Sequence, residues 1–91
     1  MERPTRWTRI VDVLEDGSLY TEEAERLFPA GVRLPADPAL RARALYELAE
    51  MVQDKIMFYT VVGEGTHGIL HADMWVGETH VNAVLEERGY R

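Results

Sequence analysis

The spacing of hydrophobic positions changes along the chain. Trp7, Ile10, Val11 and Leu14 recur at i, i+3, i+4 and i+7, which predicts a short helix over about residues 5–15. Asp16-Gly17 ends that stretch, with the glycine suited to a left-handed cap. Thr21 then reads as an N-cap, followed by Glu22 and Glu23 at the positive end of a second helix that buries Ala24, Leu27 and Phe28. A loop over residues 29–37 contains Pro29, Gly31 and Pro35. Asp37-Pro38 opens the longest predicted helix, over about residues 38–55. Leu40, Ala44, Leu48, Met51 and Val52 line its apolar side, and Arg43, Glu47, Glu50 and Asp54 line the opposite one.

Beyond Lys55 the residues become β-formers. Residues 56–62 and 69–76 are apolar on both faces and flank the glycine-rich turn 63–68, which predicts a β-hairpin over residues 56–76. A last helix follows, capped by Thr79, with Val81, Val84 and Leu85 inward and Gly89 at its end. The expected fold is α+β: three helices, a two-stranded antiparallel hairpin and a C-terminal helix, in a single domain spanning residues 1–91. That element order resembles winged-helix domains. The resemblance implies a recognition helix over 38–55 and a wing at 63–68.

Composition narrows the chemistry. The chain has no cysteine, which excludes disulfides, cysteine-ligated metals and thiol nucleophiles. No apolar run is long enough to span a membrane, and residues 1–7 lack the apolar core of a secretory leader, so a cytoplasmic location is expected. Arginine is the dominant base, and Ala, Val, Glu and Gly are plentiful. This bias resembles small accessory proteins of GC-rich actinobacteria, of their phages, or of thermophiles.

The net charge of −6 is unevenly distributed. Arg3, Arg6 and Arg9 make a basic N-terminal arm, whereas residues 12–25 hold six acids and no base. A winged-helix DNA-binding regulator would use that arm together with Arg41 and Arg43. The acidic stripe Glu47, Glu50, Asp54 and the base-free wing both oppose phosphate contact.

Two metal readings are weaker. Residues 12–23 echo a calcium loop, but Leu14 occupies a position that needs an oxygen ligand. His67, His71 and His80, with Asp73, suggest a metal-dependent hydrolase, but their spacing is no ligand signature, and neither a nucleophile nor an oxyanion element accompanies them. The chemistry therefore points to a non-enzymatic protein-interaction or regulatory module, such as a phage-encoded or accessory factor, without cofactor or metal. Its expected partner is a host protein or a second copy of the chain. The expected contact residues are Tyr59, Ile69 and Trp75 on the hairpin and Glu47, Glu50 and Asp54 on the helix stripe.

Overall fold

The computed structural model describes residues 5–91. Among these residues six strands, two α-helices and a short 3₁₀ turn follow in order: β1 (Arg6–Val13), β2 (Leu19–Thr21), β3 (Arg26–Pro29), α1 (Pro38–Val52), β4 (Ile56–Glu64), the turn Thr66–Gly68, β5 (Leu70–Val76), β6 (Thr79–His80) and α2 (Val81–Glu87). The sheet order is β3-β2-β1-β4-β5-β6, and β3 also pairs in parallel with β5. That last pairing closes five strands into a barrel and leaves β6 as an extra strand beside β5.

The winged-helix expectation is thus overturned: there are two α-helices among the described residues, and residues 6–29 are a β-meander. Residues 6–13 form a strand because the operative period is two. Thr8 and Ile10 point inward and are buried, while Trp7, Arg9 and Val11 point outward. The inward Thr8 disguises the alternation. Its hydroxyl donates to the Glu23 carboxylate, so a polar residue occupies the inner face without an unpaired group. The strand bulges between Ile10 and Asp12, and this bend lets its first half pair with β4 and its second half with β2.

The expected second helix is a hairpin instead, with Leu19 paired to Leu27 and Tyr20 to Arg26. The Thr21 hydroxyl does accept a backbone N–H, that of Glu25 at 3.1 Å, but it caps a turn there and no helix. Ala24 reverses the chain at φ +64. Gly17 turns β1 into β2 at φ +87, and a Cβ there would collide with the Leu34 side chain, so only glycine fits.

The antiparallel pairing of residues 56–64 with 70–76 is present, and it forms one side of the barrel. Helix α1 starts where its cap predicts: the Asp37 carboxylate accepts the Leu40 N–H at 3.0 Å, and Pro38 opens the first turn. It ends at Val52, where Gln53 turns extended at ψ 132 and Asp54 takes φ +61 in the turn that feeds β4. Leu40 lies outside the buried stripe, which is Ala44, Leu48 and Val52. No helix among the described residues is long and apolar enough to cross a membrane.

The core runs through the barrel and under the helices. Ile10, Leu19, Leu27, Met57, Tyr59, Ala72 and Met74 come from the strands, Leu48 and Val52 from α1, and Val81 and Leu85 from α2. Asn82, 4% exposed, secures the closing seam. Its side-chain oxygen accepts Met74 N–H at 2.8 Å, and its amide nitrogen donates to Ala30 and Ala72 carbonyls at 2.9 and 3.1 Å. Replacing it strands a buried N–H on β5 and removes a donor shared by both sides of the seam. Asn82→Ala is expected to lower stability by about 3 kcal/mol, measured as a shift of the urea midpoint with an unchanged slope.

Candidate functional site

The alternation that fills the barrel also decides what it displays. Where β1 lies beside β4, Trp7 pairs with Phe58; where β4 lies beside β5, Phe58 pairs with Trp75; and where β5 lies beside β6, Trp75 pairs with His80. Directly paired residues share a face. Four aromatic rings therefore stand in one row across four strands on the outside of the sheet. Trp7 is 64% exposed and Phe58 46%. Trp75 is half-buried because the His80 imidazole stacks on it, at 4.6 Å between centroids and 14° between planes. His80 is held in turn by Asp73, whose Oδ1 lies 2.6 Å from Nε2. Ile56, 45% exposed, flanks the row beside Arg9.

The expected contact residues divide. Trp75 is in the row. Tyr59 is not: it is 2% exposed inside the barrel, and its neighbour Phe58 faces out instead. One step of register separates the two roles. Burial and the nearby Glu25 carboxylate push the Tyr59 hydroxyl above its ordinary range. Ile69 sits at the tip of the β4–β5 connection, away from the row. Trp7, the most open member, becomes legible once residues 6–13 are read with period two, whereas Phe58 is told from Tyr59 only by the register of β4.

The acidic stripe does not persist as a stripe. Asp54 lies beyond the helix end, and its N–H donates to the Ile10 carbonyl at 2.8 Å. Glu50 is exposed on α1. Glu47 is a structural hub, accepting from the Tyr90 hydroxyl at 2.7 Å and lying 3.4 Å from Arg43 and 3.5 Å from Arg88. The Tyr90 hydrogen bond, with Arg88 and Arg43, holds the Glu47 carboxyl below its ordinary value. The same bond pushes the Tyr90 hydroxyl up.

The basic residues are dispersed over separate partners. Arg9 pairs with Glu22 at 3.6 Å, Arg43 with Glu47, and Arg41 donates to the Pro35 carbonyl at 3.4 Å. Arg6 lies on β1 opposite Tyr59, and Arg3 lies outside the described residues. The histidines also separate: His67 is in the connection before β5, His71 packs beside Phe28 at 5.7 Å between centroids, and His80 joins the row. Among the described residues no three His, Asp or Glu side chains converge on a point that would hold a metal. In the calcium-like segment, Asp16 instead accepts the Ser18 N–H at 2.8 Å within the β1–β2 turn.

No family model, curated protein or solved structure matches this chain. The functional reading therefore rests on the surface itself.

The Glu47–Tyr90 bond has a pH signature at both ends. A depressed carboxylate contributes stability above its unfolded value and loses it as pH falls through the folded one; a raised phenol contributes below its unfolded value, about 10, and loses it as pH climbs through the folded one. The stability difference between the native chain and Tyr90→Phe is expected to be constant near neutrality. It should shrink in acid below the ordinary glutamate range and again in alkali above about 10, as read from denaturation midpoints across pH.

Proposed function

We propose that this protein is an interaction module that docks a partner protein on the outer face of β1, β4, β5 and β6. The observation that carries the reading is the aromatic row Trp7–Phe58–Trp75–His80. Large rings set side by side on a rigid sheet supply contact area at little conformational cost, which is why such residues anchor protein interfaces. Scattered exposed apolar side chains need no explanation, but rings aligned by strand register are a contiguous patch.

Magnitudes say what else the partner must supply. The exposed parts of Trp7 and Phe58 amount to roughly 200 Å² of aromatic surface, worth about 5 kcal/mol when buried. Association costs about that much or more in lost rotational and translational freedom. The row is therefore a centre that needs a surrounding rim of polar contacts. With a chain charge of −6, a rim rich in Lys and Arg on the partner is the complementary match.

Single-stranded nucleic acid is the second reading. Small closed five-stranded barrels with Greek-key connections include oligonucleotide-binding domains, and aromatic rows serve as base-stacking platforms. Such sites pair their rings with a positive groove. Here Arg9, the base beside the row, is neutralised by Glu22, and the chain is acidic overall, which favours a protein partner.

A photo-crosslinking residue at Arg9, beside the row, tests this in the native cell. The expected result is one dominant protein adduct that Trp7→Ala or Phe58→Ala weakens at least about tenfold, while Tyr46→Ala, an equally exposed aromatic on α1, leaves it intact. The adduct's mass distinguishes another protein from a second copy of the chain. Adducts removed by nuclease, or unaffected by either row substitution, would overturn the reading.

A further inference from the structure

A separate cleft opens between α1 and the segment after α2. Its volume is about 590 Å³, and Pro35, Leu40, Arg43, Glu47, Arg88 and Tyr90 line it. That size falls within the range of small-molecule sites, and none of the four row residues contributes to it. We propose that it binds a small organic monoanion, a carboxylate on a short apolar body, with the carboxylate between Arg43 and Arg88.

Charge, donor geometry and wall chemistry carry this. Two guanidinium groups meet one carboxylate, Glu47, so the cleft keeps one surplus positive charge in a chain of net charge −6. A monoanion balances that surplus, and a dianion overshoots it. Glu47 engages Arg43 through Nε and Arg88 through one Nη. Each guanidinium carries further N–H donors in a fixed fork, and such forks pair with carboxylates.

Glu47 is itself fixed by the Tyr90 hydroxyl at 2.7 Å, so both arginines hang from an anchored group and lose less freedom on capturing a ligand. The opposite requirement, an apolar surface for the ligand's body, is met by Leu40. This leucine is 54% exposed whereas Ala44, Leu48 and Val52 of the same helix are buried, and Pro35 and Tyr90 continue its wall. A leucine left open beside a pair of arginines suits an amphipathic anion better than a sugar or a bare inorganic ion.

The test is a titration of the ¹⁵N-labelled chain with 4-phenylbutyrate, with 4-phenylbutanol and inorganic phosphate in parallel. The expected result is saturable shifts of the amides of Leu40, Arg43, Glu47 and Arg88 with phenylbutyrate. The alcohol and phosphate should each bind at least about tenfold more weakly, the loss of a charge-assisted hydrogen-bonded pair. Arg88→Gln should weaken phenylbutyrate about tenfold. Arg43→Gln, at a far more exposed side chain, should do so without disturbing the Glu47–Tyr90 anchor and so separates ligand loss from misfolding. Arg26→Gln, an arginine away from the cleft, should change nothing. Equal binding of the alcohol, phosphate binding as tightly as phenylbutyrate, no saturable shift, or an unaltered affinity in Arg43→Gln would each overturn the proposal.

Discussion

The parallel seam between β3 and β5 is the constraint on which the rest depends. It is short, with Leu27, Phe28 and Pro29 facing Leu70, His71 and Ala72, and it ends in a proline that donates no hydrogen bond. Parallel pairing of so few residues is marginal alone. Asn82 compensates by binding both sides of the seam from the first turn of α2, and Ala30 N–H adds a bond to the Ala72 carbonyl at 2.9 Å. The buried amide is fully used, which is the condition under which a core polar group specifies a structure instead of weakening it.

Closure by this seam has two consequences. It gives every strand an inside, filled by Ile10, Leu19, Leu27, Met57, Tyr59, Ala72 and Met74, and thereby an outside, where Trp7 and Phe58 stay exposed and Trp75 is covered only in part by His80. It also ties α2 down, so that Tyr90 reaches Glu47 on α1 and the cleft between helix and C-terminal segment takes shape. The docking row and the cleft are products of one closure acting at different places on the surface.

Helix α1 was legible from Asp37-Pro38 and its apolar stripe, and a hairpin over residues 56–76 from β-formers around a glycine-rich turn. The first third of the chain was not. Trp7, Ile10, Val11 and Leu14 satisfy helical spacing, and the true alternation is masked because Thr8 turns inward on a hydrogen bond to Glu23, fifteen residues away. Thr21 is a sound cap residue, and it caps a hairpin turn. In both cases a local signal was real and a non-local partner decided its meaning. The seam itself joins residues more than forty positions apart, and no local pattern announces it.

The site followed the same division. Trp75 was recognisable because it sits in a strand with His71 and Asp73 on one face. Phe58 and Tyr59 could not be told apart without the register against β5. Glu47, Glu50 and Asp54 looked like one acidic face; the helix end at Val52 and the pull of Tyr90, Arg43 and Arg88 give each a different setting.

Closure of the barrel is most directly tested by two-dimensional NMR of the backbone in solution. Cross-strand contacts are expected between Leu27–Pro29 and Leu70–Ala72, with the Ala30 amide exchanging only on global unfolding. Sequential helical contacts over residues 6–13 and 21–28, with no β3–β5 cross-peaks, would contradict it.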